Sequence, residues 1–215
     1  SSKEDDAMTQ IMIASGMTDG QIETAVEQFR AAMRKHRGEV QKDAAQQALG
    51  VDNFGMRMFV VFRELAEAMS NLIVRHMKAD RMRIPQQVLD ATGRRQYTTQ
   101  SVVDTMPRGE EEEGDVVFFK PRPQAYNRNG WISDDNLEKE FEFHGLKPCD
   151  PYKLSKVNAD DPAFADERPN ATHWKDADGN WYYSAFDRWR RERHVRVYRL
   201  GHDWYVRWWF AGLRK

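Results

Sequence analysis

Apolar residues recur at helical spacing through the first third of the chain. Ile22, Val26, Phe29 and Met33 stand three or four positions apart, which places them on one stripe of a helix. Thr18 and Gln21 at its start have the spacing of a capping box, in which the Thr hydroxyl takes the amide of the third helical residue and the Gln reaches back. Gly38 marks its end. Val40 to Leu49 repeats the period more weakly, carried by the helix formers Ala44, Ala45 and Ala48. Phe54 to Met69 is the strongest amphipathic segment, with Met58, Val61, Phe62, Leu65 and Met69 on one face. These Met and Phe stripes are expected to form core rather than a cofactor pocket.

The period then shortens. Leu72 to Met77 reads as a strand, and Pro85 opens a short helix through Leu89 to Thr92 that closes at Gly93, with Arg94 and Arg95 beside its carbonyl end. Ser101 to Met106 is a second short helix or turn, Val116 to Phe119 a buried strand, and Lys120 to Gly130 a loop rich in Pro, Asn and Gly. Ser133 begins a helix running through Leu137 to His144, and Asp150-Pro151 has the cap-then-proline order of another. The remainder is β. Thr172 to Lys175 and Trp181 to Phe186 flank the turn signal DADGN, and Val195 to Arg199 and Trp204 to Phe210 flank Gly201-His202. The predicted class is α+β, with N-terminal helices packed with a largely antiparallel sheet formed mainly by the C-terminal hairpins. Residues 17–215 are expected to make a single domain, helical over 17–70, mixed over 71–170 and β over 171–215, after a leader or expression remnant at 1–16.

The stretch DWYVRWWF, Asp203 to Phe210, carries five aromatic rings in eight residues. If Gly201-His202 is a two-residue turn, Tyr198 lies opposite Tyr205, Arg196 opposite Arg207 and His194 opposite Trp209, and opposite residues share a face. Val195, Val197, Trp204, Val206, Trp208 and Phe210 fall on the other face, which is predicted core. His194, Arg196, Tyr198, Tyr205, Arg207 and Trp209 then form a basic, aromatic plate, the candidate anion- or nucleic-acid-binding site. Two arginines facing each other across a ladder repel unless an anion lies beside them. That anion is either internal, from a helix such as the one carrying Glu138, Glu140 and Glu142, or external. Rings that stack on bases beside guanidinium groups that meet phosphates are the usual combination for single-stranded nucleic acid.

Charge sharpens this reading. The formal net charge of −1 hides a segregation, because Trp181 to Lys215 holds nine Arg or Lys against three acidic residues while Ser101 to Asn180 is acidic. Such asymmetry marks either a face for a polyanion or two parts of one fold attracting each other. Trp189-Arg190-Arg191 and the group Arg81, Arg83, Arg94 and Arg95 would extend the positive surface. Cys149 is the only cysteine, so no intrachain disulfide forms and a cytoplasmic setting is expected. No apolar run reaches the roughly 18 to 20 residues of a membrane span.

Signs of other chemistry are weak. DADGNW begins like a calcium loop, but glycine falls fourth and Asp187 stands where the twelfth-position Glu belongs. There is no P-loop, GxSxG or GxGxxG, and the six histidines and one cysteine lack zinc-site spacing, so neither cofactor nor metal is expected. One catalytic grouping deserves naming: His173, Asp176, His202 and Asp203 sit at two turns that could share one end of the sheet, the arrangement of a small acid–base or metal-assisted hydrolase.

The segments ATGRRQY, ISDDNLEKEFEFHGLKPCDPYKL, VNADDPAFADERPNATHWKDADGNWYY and RWWFAGLRK resemble a family of bacterial proteins of uncharacterised activity. The resemblance runs from about Met17 to the end, implies one continuous domain and transfers no site residue. The leading expectation is a non-catalytic binding protein whose C-terminal sheet contacts an anionic partner, single-stranded nucleic acid. The alternatives are a protein-interaction or regulatory module whose partner is another protein, and the hydrolase above.

Overall fold

The computed structural model describes residues 16–199 and 201–215, the side chain of Ala68 excepted. The expected leader therefore lies, apart from Gly16, outside the described residues. The chain divides into two compact units between Ser70 and Asn71.

Among its described residues the first unit holds three α-helices, α1 (Asp19–Lys35), α2 (Lys42–Leu49) and α3 (Phe54–Ala68). The capping box forms at the start of α1: Gln21 N donates to Thr18 Oγ1 at 3.2 Å, and Thr18 N donates to Gln21 Oε1 at 3.0 Å. The apolar stripes do not become core. Ile22, Val26, Phe29 and Met33 are 43–51% exposed, and no described side chain of the three helices is buried. Helices α1 and α3 border an apolar groove that the described residues do not enclose.

The second unit alternates ten strands with five helices: β1 (Leu72–Lys78), α4 (Pro85–Asp90), β2 (Arg95–Thr98), α5 (Gln100–Val103), β3 (Glu113–Phe119), β4 (Trp131–Ile132), α6 (Asp134–Phe143), β5 (Leu146–Pro148), α7 (Pro151–Asp160), α8 (Phe164–Glu167), β6 (Asn170–Lys175), β7 (Trp181–Trp189), β8 (Glu192–Arg199), β9 (Trp204–Tyr205) and β10 (Trp209–Arg214). Eight strands form one sheet in the order β1-β3-β10-β6-β7-β8-β2, with β5 also paired to β10, and β4 and β9 make a separate two-stranded ribbon. Pairing is antiparallel except for β10 with β6 and β2 with β8. No helix among the described residues is long and apolar enough to cross a membrane.

Both faces of the sheet carry core. On one, Ile73, Phe118, Phe186, Val195 and Val197 pack in a cluster with Leu154 and Val157 of α7 and Phe164 of α8. On the other, Phe119 meets Phe141 of α6 edge to face at 5.0 Å, and Trp204 meets Phe210 in the same way at 5.3 Å. Each such fully buried side chain contributes about 1.5–3 kcal/mol by leaving water. Helix α6 begins where Ser133 Oγ accepts from Asn136 N, with Asp134 and Asp135 in its first turn, where carboxylates complement the helix dipole. The DADGN hairpin forms, with Gly179 at φ 81° and Asp176 Oδ1 accepting from the amides of Asp178 and Asn180.

The last hairpin does not form. β8 is flanked by β7 and β2, β9 pairs with β4, and β10 runs between β3 and β6. Arg196 therefore aligns with Ala185 and Tyr97, not with Arg207, and His194 aligns with Asp187 and Arg95, not with Trp209. The turn that does close on β8 is Arg190-Arg191, at φ 49° and 72°, with no glycine or asparagine to announce it. β10 lies close against β5: a Cβ placed on Gly212 would stand 2.9 Å from Leu146 Cδ1.

Candidate nucleic-acid interface

The covering of α6 and the β4–β9 ribbon stops short of the β7-β8-β2 end of the sheet. On that face alternation along each strand presents Tyr183, Ala185 and Asp187 from β7, His194, Arg196 and Tyr198 from β8, and Arg95 and Tyr97 from β2. The segment after β9 adds Arg207 and Trp208. A groove of about 610 Å³ results, walled by Trp131, Tyr183, Tyr205 and Trp208, with Arg196 and Arg207 among its lining residues.

Both arginines converge on one carboxylate. Arg196 Nη1 stands 2.6 Å from Asp187 Oδ1 as a charge contact outside hydrogen-bond alignment, and Arg207 Nη2 donates to Asp187 Oδ2 at 3.1 Å. The Asp187 side chain is fully buried, whereas those of Arg196 and Arg207 are 26% and 42% exposed. The chain of contacts continues outward. Arg196 Nη2 donates to His194 Nδ1 at 3.4 Å, His194 Nε2 to Glu192 Oε2 at 3.5 Å, and Arg95 Nη1 to the same Glu192 oxygen at 2.8 Å. Three guanidiniums, those of Arg95, Arg196 and Arg207, stand among the carboxylates of Asp187 and Glu192, and Asp203 also lines the groove. Arg190 and Arg191 at the neighbouring turn have no ion pair among the described residues.

Of the six expected plate residues, five lie on this side. His194 is buried with Tyr97 edge-on at 5.0 Å, Tyr198 lies 6.2 Å from the Tyr183 ring, and Tyr205 pairs with Trp131 at 5.0 Å. Trp209 is the exception. It packs against the cluster on the opposite face, because β10 sits in mid-sheet and its alternation turns Phe210 instead toward α6. The expected core side is split too: Val195, Val197, Trp204 and Phe210 are buried, while Val206 is 41% exposed and Trp208 lines the groove.

The internal anion is not the expected helix. Glu138 binds His173 at 2.7 Å and Glu140 binds Arg122 at 2.9 Å, leaving Asp187 to hold the two arginines. Among the basic residues expected to extend the surface, Arg81 is spent on Asp150, Arg83 on Asp80, and Arg94 is buried over the Phe186 ring. Burial pushes Arg94 down to about 10. Of these four only Arg95 joins the face. Asp187, Tyr97, Tyr183 and Trp131 were missed; alternation from Tyr183 through Ala185 would have placed Asp187, had the turn at Arg190-Arg191 been legible.

The turn grouping does not assemble. Asp176 is occupied in its own turn, also accepting from Tyr182 Oη at 3.0 Å, and His202 Nδ1 contacts the carbonyl of Asp203 at 2.9 Å. His173 is enclosed elsewhere, with Asp134 Oδ1 at 2.6 Å from Nδ1, Glu138 Oε1 at 2.7 Å from Nε2, and Trp181 stacked at 4.3 Å. Both ring nitrogens therefore donate, and the ring is a positive imidazolium. Burial alone would lower its pKa; the two carboxylate hydrogen bonds override that and hold it above the ordinary 6.5. Because the folded chain binds this proton more tightly, the stabilisation is full below pH 6.5 and is lost as pH rises through the higher folded value. Melting temperature is expected to fall on raising the pH from about 6 to 9, and His173→Gln is expected to flatten that slope; an unchanged slope would refute the assignment.

No family model, curated protein or solved structure matches this chain.

Proposed function

We propose that this is a non-catalytic binding protein that holds an anionic partner, single-stranded nucleic acid, in the groove of Arg196, Arg207 and the surrounding rings. The observation that carries the reading is the sharing of one buried carboxylate by two half-open guanidiniums. Both guanidiniums face a space bordered by Trp131, Tyr205 and Trp208, with Asp203 also on its lining. Exposed arginine meets phosphate and a ring stacks on a base of any identity, so the recognition is of strand rather than sequence. A groove of about 610 Å³ falls within the usual range for sites that hold a small organic group. The positive turn at Arg190-Arg191 extends the path for a backbone running along β8. A reducing, cytoplasmic compartment fits the lone Cys149, whose thiol burial pushes well up.

Titration of a fluorescent single-stranded DNA or RNA of about a dozen nucleotides, a length near the span of one such groove, is the direct test. Binding is expected to weaken steeply between low and moderate salt. Arg207→Ala is expected to reduce the slope of log affinity against log salt by roughly one contact, and Tyr205→Ala to cost about 1–3 kcal/mol of binding with the slope unchanged. Absence of binding at low salt, or binding indifferent to salt, would overturn the proposal.

A further inference from the structure

Helices α1 and α3 border an apolar groove of about 540 Å³ lined by Ile22, Val26, Phe29, Phe59, Phe62 and Leu65. Three helices with no buried side chain among the described residues do not by their own packing offset the entropy of ordering their chain, so the groove needs a cover. The charges beside it indicate which. Glu23, Glu27, Arg30 and Arg34 each follow a residue of the Ile22, Val26, Phe29, Met33 stripe by one position, and so form a parallel stripe of their own along its edge. The acidic pair occupies the first half of α1 and the basic pair the second. Each pair is a like-charge i, i+4 couple, which destabilises a lone helix, and none of the four residues has an ion-pair partner among the described residues.

We propose that a second copy of this chain covers the groove, with the two α1 helices antiparallel about a two-fold axis. Glu23 and Glu27 of one copy then meet Arg34 and Arg30 of the other. An isologous contact of this kind repeats every pairing twice, so four like-charge repulsions become four attractions around a closed apolar seam, the packing of a four-helix bundle. A parallel arrangement would set Glu against Glu and Arg against Arg. The antiparallel one alone uses the division of charge along the helix.

The test is the mass of the full chain in solution, by sedimentation equilibrium across a concentration series. The wild-type chain is expected to be a dimer. E23R/E27R and R30E/R34E are each expected to raise the dimer dissociation constant at least about tenfold, the fourfold reversal E23R/E27R/R30E/R34E to restore it, and a mixture of the two double variants to form heterodimers tighter than either homodimer. Mixing keeps the test decisive even where one double variant alone loses helicity by circular dichroism, since the oppositely charged copy should recover both. A chain that stays monomeric up to about 100 µM, a concentration that reports only very weak association, or double variants that dimerise as tightly as wild type, would overturn the proposal.

Discussion

Asp150→Ala is expected to lower the unfolding free energy by about 4 kcal/mol. Two mechanisms add at this carboxylate. It caps α7, with Oδ1 accepting from Lys153 N at 2.9 Å, and loss of such a cap costs about 1 kcal/mol. It also receives Arg81 Nη1 at 2.6 Å and Nη2 at 3.1 Å, with both side chains nearly buried. Removing one partner of a buried pair costs about 3–5 kcal/mol, because the other charge is stranded away from water. Arg81 also donates to the carbonyls of Arg108 and Glu111, which retains part of its satisfaction and holds the total near the lower end. Asp150→Asn keeps the cap and should lose roughly half as much. Urea unfolding of the three proteins measures this; midpoints that coincide would contradict the account.

Asp187→Asn is expected to move stability and binding in opposite directions. The buried carboxylate is the only anion shown between Arg196 and Arg207. Neutralising it should cost about 2 kcal/mol, below the figure for a sealed pair because both guanidiniums reach water and can relax into it. The same change removes one negative charge from beside the groove and leaves its arginines in excess. Affinity for a single-stranded oligonucleotide at low salt should rise by about three- to tenfold, and the salt slope should steepen by roughly one contact. A merely structural role predicts affinity that is unchanged or falls with the folded fraction. Binding measured well below the variant's melting temperature separates these outcomes, and a weaker or unaltered affinity there would remove the groove as the anion site.

Much of the local structure was legible because it is written within four residues. The Thr18 capping box, the Ser133 and Asp150 starts and the DADGN turn are each recognised by side chains that bind the backbone beside them. The exposure of the Ile22 to Met33 stripe was not legible. An apolar face reports that something covers it, and not whether the cover is the same chain or another. The candidate plate was found for a partly mistaken reason: Arg196 and Arg207 do converge, through Asp187 on the neighbouring strand rather than by facing each other across a ladder. Strand β2 also escaped notice, as four mixed residues that become a strand only beside β8.

By itself the sequence determined an α+β class, the positions of the longer helices, the strand segments β1, β3, β6, β7 and β8, and the concentration of rings and arginines near the C-terminus, but not the short helix α8. These follow from side-chain period and from hydrogen bonds between near neighbours, which each segment carries with it. Only the tertiary structure decided the order of the strands, the insertion of β10 between β3 and β6, the face on which Trp209 lies, and the carboxylate that joins two arginines. Strand pairing is chosen by the total burial that competing registers achieve across distant segments. Trp204 and Phe210 gain more by packing against each other and the α6 side of the sheet than a short hairpin on β8 could offer them.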